Sequence, residues 1–267
     1  MVEPATKNTT QSSNTDRERI WAKMAQMHPE FTHDHDVFDD PWAVEALLLG
    51  DFIGWRPFSD AHVMDIGANV GVWTAFCALH DCRVTAYEAD KITFDTLNGM
   101  LEKTGLDSRV NTVNAAIWKT TGTMPFAGRE VNTRARCRNG CLTVAGAGPY
   151  GDGDMTPGLF WGNVISQPEN SDLVSTVSFG DALGSEQWDC IKMDIEGAEY
   201  QVILSVEVEK LKQIKFLQLE FHNGWADEII YRRLLEKLHS VFESDGCLTS
   251  DGPHAGQYSW AHFRRKV

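Results

Sequence analysis

Short apolar runs alternate with helical patterns through the first half of the chain. The runs Val63–Ile66, Arg83–Tyr87 and Val110–Ile117 predict strands, and residues 72–79 and 91–103 repeat apolar positions at helical intervals. Strands that alternate with helices pair in parallel through right-handed crossovers. The pattern therefore predicts an open α/β sheet.

The same alternation returns near the C-terminus after an interruption. Predicted strands and helices follow in the order Trp188–Asp194, Ala198–Val206, Phe216–His222 and Ala226–His239, with two short strands near 241–242 and 259–263. Before them, residues 121–173 are rich in glycine and show little periodicity. A structureless loop of that length is improbable in a compact domain. We expect an insertion that contains some hairpins and covers part of the molecule.

The N-terminal residues differ from the rest of the chain. Residues 1–16 are polar and predict a disordered tail. Residues 17–60 carry apolar positions at helical spacing and the helix start Asp39-Asp40-Pro41, so they predict a helical extension. Residues 61–267 then form the main domain.

The amino-acid composition and net charge disfavour several classes of protein. The 267 residues include 24 Lys plus Arg against 38 Asp plus Glu, a net charge of -14, and 42% are hydrophobic. This is typical of a soluble globular protein and disfavours nucleic acid as a partner, because a polyanion needs a basic surface. No apolar run is long enough for a membrane span or a secretory signal, which predicts a cytoplasmic protein. The oligomeric state is not indicated.

A glycine turn follows the first predicted strand, in the segment Asp65-Ile-Gly-Ala-Asn-Val-Gly71. Glycines there let backbone N–H groups approach a ligand closely. Glu88 ends the second strand, and an acid at the tip of the adjacent strand can accept hydrogen bonds from two ribose hydroxyls. The pattern predicts a nucleoside cofactor.

The glycine spacing separates two such cofactors. A dinucleotide site has Gly-x-Gly-x-x-Gly, and Asn69 stands here where the pyrophosphate needs a glycine. Asp65 would face a pyrophosphate poorly, but it suits the ammonium group of a methionine moiety, directly or through water. S-adenosylmethionine is therefore favoured over NAD. The alternative is a turn that needs glycine only for its geometry.

Four polar side chains lie on two later strands. Lys192 and Asp194 are two apart on one strand, and Glu220 and His222 are two apart on the next, so each pair shares a face. If these strands pair, the four residues converge at the carboxyl edge of the sheet, where open α/β sheets bind ligands. One interpretation is a buried Lys–Asp or Lys–Glu pair that only joins the strands.

The functional interpretation takes two forms. His222 is a candidate general base for an acceptor hydroxyl, because imidazole titrates near neutral pH. Alternatively, Asp194 with Glu220 or His222 holds a divalent ion such as Mg²⁺ that orients the acceptor and lowers its pKa. Glu196 and Glu199 are further catalytic candidates, although acids in a first helical turn also favour the helix dipole.

Together these motifs resemble those of the FkbM-type S-adenosylmethionine-dependent methyltransferases. The resemblance spans about residues 62–222 without the insertion. It rests on residues 65–71, Glu88, residues 114–117, residues 219–222 and above all Ile191-Lys-Met-Asp-Ile-Glu-Gly-Ala-Glu199. Glycine turns of the first kind occur throughout class I methyltransferases, whereas the Lys-x-Asp-x-Glu-Gly-x-Glu run is more specific to this family.

The resemblance implies a Rossmann-like, doubly wound and mostly parallel sheet of seven strands. The cofactor-binding residues that it implies are Asp65, Gly67, Ala68, Asn69 and Gly71 around the methionine part, Glu88 at the ribose, and Asn114, Ala115 and Ala116 near the adenine. Asp194 would lie beside the methyl group, and the candidate catalytic residues are Asp194, His222, Lys192 and Glu220. Of these, Asp194 and Glu220 are also the candidate metal ligands.

These inferences lead to an expected function. We expect a methyltransferase that methylates a hydroxyl of a small molecule or sugar in natural-product or glycan tailoring. Three alternatives stay open at this point: methylation of a peptide amide nitrogen, a nicotinamide-dependent oxidoreductase, and a nucleotide-binding module without turnover.

Overall fold

The computed structural model describes residues 55–126, 172–195, 197–222, 228–249 and 258–266. The first described segment alternates strand and helix. Its elements are β1 (His62–Ile66), α1 (Val72–Leu79), β2 (Arg83–Glu88), α2 (Lys91–Thr104), β3 (Val110–Asn114), β4 (Ala116–Trp118) and β5 (Gly122–Phe126). The bounds of α2 follow from its caps: the Asp90 side chain accepts a hydrogen bond from the Thr93 amide, and Gly105 ends the helix in the left-handed region.

The remaining described segments contain five strands and four helices. They are β6 (Asp172–Ser178), α3 (Phe179–Leu183), β7 (Cys190–Met193), α4 (Glu199–Ser205), α5 (Val208–Leu211), β8 (Phe216–His222), α6 (Glu228–His239), β9 (Phe242–Thr249) and β10 (Tyr258–Arg265). The sequence pattern does not predict β6, α3 or α5. The last two strands are longer than their predicted cores.

Seven strands form the main sheet, in the order β3-β2-β1-β7-β8-β10-β9. All pairs are parallel except those of β10, which is antiparallel to both β8 and β9. This confirms the Rossmann-like, mostly parallel sheet. The chain moves outward from β1 to β3 and then returns to the other side of β1 as β7. The strand order thus reverses between β1 and β7, and ligands of open α/β sheets bind outside the carboxyl ends at such a point.

The single strand predicted over Val110–Ile117 is wrong. β3 ends at Asn114, where the Ala115 amide donates to the Val113 carbonyl at 3.0 Å and turns the chain. Residues after that turn form β4, which belongs to a separate three-stranded sheet in the order β4-β6-β5. Residues 110–117 contain no glycine or proline that would mark the break, so the sequence pattern alone could not show it.

Helices cover both faces of the main sheet. Val63 packs in one cluster with Trp73 and Cys190, whereas its neighbour Met64 packs in another with Ile191 on the opposite face. Alternation of apolar contacts along one strand is expected when both faces are buried. Cys77, Cys82 and Cys190 are buried free thiols.

Several predicted segments lie outside the described residues. They are the tail 1–16, most of the helical extension 17–60 and the central part of the insertion, residues 127–171. At the ends of that insertion, β5 and β6 pair antiparallel from Gly122↔Thr176 to Phe126↔Asp172. The chain therefore leaves and re-enters at adjacent positions. Within the described ranges, no helix is both long and apolar enough to cross a membrane.

Candidate active site

The turn after β1 is held by its neighbours on two sides. Gly67 has a φ of +77°, and a Cβ there would lie 1.9 Å from the carbonyl oxygen of Asp194. Gly71 has a φ of +92°, and its Cβ would lie 2.2 Å from a methyl carbon of Leu97 on α2. Both positions therefore require glycine for the close approach of the end of β7 and of α2, in addition to any contact with a ligand.

The first turn of α1 is suited to an anionic group. Gly71 is its N-cap and supplies no side-chain cap, and the turn contains no acidic residue. N–H groups without a side-chain cap and the positive end of the helix dipole favour a carboxylate here. Asn69, in the left-handed region at φ +52°, has a buried Oδ1 atom without a hydrogen-bond partner among the described residues. An orphaned acceptor in this turn fits a site that is completed by a ligand with N–H or O–H groups.

Glu88 occupies the carboxyl end of β2 and is only 2% exposed. One carboxylate oxygen accepts from the Asn69 amide and the other from the Asp90 amide, both at 2.8 Å. Burial raises the pKa of Glu88 to about 7, and the two amide donors only partly offset that effect. Each oxygen retains a lone pair, so two further donors such as ribose hydroxyls would stabilise the charged form.

Asn114 stands beside Glu88 at the end of β3. Its Nδ2 atom donates to the carbonyls of Glu88 at 2.9 Å and Ala89 at 3.1 Å, which fixes the backbone at the end of β2. Ala115 and Ala116 are buried and follow directly. Asn114 thus adjoins the predicted ribose-binding residue, and the other two predicted adenine-side residues follow it in the chain.

Asp65 faces the interior of the protein. It is fully buried, with one oxygen accepting from Thr74 Oγ1 at 2.7 Å and the other 3.4 Å from Lys192 Nζ. Both oxygens therefore already have protein donors, and the contact of Asp65 with the ammonium group of the cofactor stays a prediction. Sequence reasoning missed Thr74, whose only signal is a hydroxyl in the first turn of a buried helix.

Lys192 links the end of β7 to the glycine turn. Its Nζ atom is 3.3 Å from the Gly67 carbonyl oxygen and 3.5 Å from Asp194 Oδ2. Burial alone would lower the pKa of Lys192, but the carboxylates of Asp65, Asp194 and Glu220 outweigh it and raise that pKa well above its ordinary value. The charged form of Lys192 is therefore favoured at neutral pH.

The two strands that carry the second constellation are neighbours. β7 and β8 pair in parallel with Lys192 opposite Gln218, so the half-buried Glu220 lies two residues further toward the carboxyl edge on the same face. The Asp194 side chain is 27% exposed at that edge. His222 ends β8, and its backbone pairs with Tyr258 of β10, but its side chain lies outside the described part of the chain.

Glu199 holds the turn between β7 and α4. It is fully buried, and its two carboxylate oxygens accept from the amides of Ile195 and Gly197, both at 2.9 Å. This arrangement gives the acid of the Lys-x-Asp-x-Glu-Gly-x-Glu run a structural role in shaping the turn after Asp194. Glu196, the other acid considered there, lies outside the described residues.

The donor set around Asp194 does not favour a divalent ion. In the segments that the structure describes, no group of three or more His, Cys, Asp or Glu side chains is arranged to hold a metal. The Lys192 ammonium already lies beside the Asp194 carboxylate, and a second cation there would be repelled.

A comparison with models of known protein families shows to which family the chain belongs. The model of the Methyltransferase FkbM domain matches residues 65–242, more than half of the chain. The chain belongs to the FkbM methyltransferase family. It is therefore an S-adenosylmethionine-dependent methyltransferase, and the match supports neither the nicotinamide-dependent nor the non-catalytic alternative. The matched residues begin at Asp65 and include every candidate site residue named above.

This FkbM-family protein is similar to several solved methyltransferase structures. The METTL16 methyltransferase domain has 12% identity and a TM-score of 0.46, covering 84% of this chain and 66% of that one; this chain thus spans slightly under two thirds of its length. Aeropyrum pernix fibrillarin with natively bound S-adenosyl-L-methionine has 10% identity and a TM-score of 0.46, covering 83% and 74%. A TehB-like methyltransferase from Corynebacterium glutamicum has 10% identity and a TM-score of 0.42, covering 95% and 100%. No curated protein matches the chain.

Proposed function

We propose that this FkbM-family enzyme transfers the methyl group of S-adenosylmethionine to a hydroxyl oxygen of a small molecule or sugar. The observation that supports it most is the juxtaposition of two sites at the point where strand order reverses. The glycine turn lies at the end of β1, Glu88 at the end of β2 and Asp194 at the end of β7. A nucleoside and an acceptor can therefore meet over the end of β1.

On this proposal, the cofactor is held by groups with matching chemistry. Glu88 accepts hydrogen bonds from the ribose hydroxyls, and the uncapped N-terminus of α1 faces the carboxylate of the methionine part. Asn114, Ala115 and Ala116 form the adenine side, and Asn69 Oδ1 accepts from the cofactor. Bound S-adenosylmethionine supplies a methyl group activated by its sulfonium centre.

The acceptor side needs alignment and removal of one proton. Asp194, at the partly exposed carboxyl edge, can accept a hydrogen bond from the acceptor hydroxyl and orient its oxygen. His222 ends the neighbouring strand and is proposed as the general base that receives the hydroxyl proton, with Glu220 two residues before it on β8. A magnesium ion is not part of this proposal, because Lys192 supplies the positive charge beside Asp194.

The acceptor class follows from charge rather than from a defined pocket. The net charge of -14 and the three carboxylates around Lys192 disfavour an acceptor that is bound through phosphates, nucleic acid included. A neutral polyhydroxylated acceptor meets no such repulsion. The cytoplasmic location stays a prediction of the sequence.

Methylation of an acceptor panel tests the proposal. The purified enzyme is incubated with S-adenosylmethionine and with sugars, polyols, phenols or an asparagine-containing peptide, and the methylated atom is located by mass spectrometry and NMR. The expected product is a methyl ether that is lost in Asp194→Asn and reduced at least tenfold in His222→Ala. Methylation only at the peptide amide would refute O-methylation, while full turnover in His222→Ala would refute only the base assignment.

A further inference from the structure

A row of polar side chains crosses the main sheet beneath the active site. Asp65 on β1 is the register partner of Lys192 on β7, Lys192 that of Gln218 on β8, and Gln218 that of His262 on β10. Their exposures are 0%, 8%, 2% and 7%, so all four are more than nine-tenths buried. Polar groups inside a sheet are costly unless their partners compensate for the lost water. The four side chains therefore depend on partners inside the protein.

Lys192 is the centre of this row and contacts three parts of the active site. An ammonium group has three protons to donate. Three acceptors surround this one: Asp65 Oδ1 at 3.4 Å, the Gly67 carbonyl oxygen at 3.3 Å and Asp194 Oδ2 at 3.5 Å. They belong to β1, to the glycine turn and to the end of β7. One side chain thus joins the cofactor turn to the residue on the acceptor side.

Proton transfer is not available to Lys192. A lysine base must first be neutral, and neutral Lys192 would leave the carboxylates of Asp65, Asp194 and Glu220 close together without a compensating charge. Its protons are also directed at protein acceptors rather than at the open edge of the sheet. Lys192 must therefore act through the groups that it holds.

We propose that Lys192 is a positioning residue, whose ammonium group fixes the Gly67 carbonyl and the Asp194 carboxylate in the geometry that receives the methyl donor. The proposal rests on the proposed function, since it takes the glycine turn and Asp194 to flank the donor. The proposal also explains why Lys192 and Asp65, which join β7 to β1, form an ion pair. Apolar residues could join β1 to β7 with equal or greater stability, but they could not hold a carbonyl and a carboxylate beyond the strand ends.

The test compares two variants that share the substitution Asp65→Asn. Asp65→Asn alone keeps Lys192 beside the Gly67 carbonyl and Asp194. Asp65→Asn with Lys192→Met removes the ammonium without leaving the fully buried carboxylate unpaired, so folding is expected to survive. Because residue 65 is the same in both, any difference in affinity for S-adenosylhomocysteine, measured by calorimetry, belongs to Lys192. We expect the double variant to bind at least tenfold more weakly than Asp65→Asn.

A second Lys–Asp ion pair, more exposed than that of Lys192 and Asp65 and at the opposite edge of the sheet, provides the control. Lys215 Nζ lies 2.7 Å from Asp189 Oδ1, just before β8 and β7 begin. Asp189→Asn with Lys215→Met makes the same chemical change directly before these two strands, away from the site. We expect its affinity for S-adenosylhomocysteine to stay within twofold of the wild-type value, although its melting temperature falls.

The outcomes separate the two claims. Absence of S-adenosylhomocysteine binding by the wild-type enzyme would overturn the proposed cofactor site itself. Wild-type binding, with equal affinities in the single and the double variant, would overturn only the positioning role. A double variant that does not fold, judged by circular dichroism, would also overturn it, because Lys192 would then be a requirement of the fold.

Discussion

Glu88 should make both stability and cofactor affinity depend on pH. Burial raises its pKa from 4.5 to about 7 in the folded protein, so the native state holds this proton more tightly than the unfolded chain does. Between these two values the unfolded chain binds fewer protons, and the free energy of unfolding falls as pH rises. The loss is complete once the pH passes the folded pKa.

The size of the effect follows from the two pKa values. Over the full range, the difference between 4.5 and about 7 corresponds to about 3 kcal/mol, and between pH 5.5 and 8 the expected loss is about 2 kcal/mol. Glu88→Gln cannot ionise and lacks this contribution. We therefore expect the wild-type protein to lose about 2 kcal/mol relative to Glu88→Gln over that interval.

Urea unfolding followed by tryptophan fluorescence measures the difference directly. Nine tryptophans provide the signal. The interval from pH 5.5 to 8 lies above the sequence pI of about 5.0, so the net negative charge opposes aggregation. In parallel, wild-type affinity for S-adenosylhomocysteine should rise up to roughly thirtyfold over this interval as Glu88 ionises, and that of Glu88→Gln should stay low and constant. A stability difference that does not change with pH would refute the burial argument.

Three other perturbations have defined outcomes. Gly67→Ala should unfold the protein or lower its stability by roughly 3 kcal/mol or more, since a Cβ would lie 1.9 Å from the Asp194 carbonyl oxygen; a melting temperature unchanged from wild type would contradict this. Replacing residues 127–171 by a short turn should leave S-adenosylhomocysteine affinity within threefold while removing acceptor turnover, because Phe126 and Asp172 are paired; a folded variant that no longer binds it would contradict that division. Methyl transfer should be unchanged by EDTA and by added magnesium, and a rate restored only by the metal would contradict the role given to Lys192.

The main sheet could be predicted from the sequence because its signals are local. The runs that form β1, β2, β7 and β8 are short, apolar and separated by helical patterns, and the glycine turn marks the first crossover. Alternation of strand and helix then determines parallel pairing. The break at Ala115 could not be predicted, since it depends on one backbone hydrogen bond in a segment without glycine or proline.

The candidate site was predictable as a set of positions but not as a network. Spacing along the strand places Lys192 and Asp194 on one face. The direction of the Lys192 side chain toward Asp65, in contrast, depends on the pairing of β1 with β7, which are far apart in the sequence. The same holds for Thr74, which reaches Asp65 from α1. Sequence alone presents Asp65 only as a candidate ligand contact, and the three-dimensional arrangement adds its burial and its two protein donors.

The central claim is that the turn after β1 and Glu88 bind S-adenosylmethionine at the point where strand order reverses. Calorimetric titration of the wild-type protein with S-adenosylhomocysteine, with NAD in a parallel experiment, tests it most directly. We expect saturable binding of one S-adenosylhomocysteine per chain and no binding of NAD. Binding of NAD alone, or of neither compound, would contradict the account of this site.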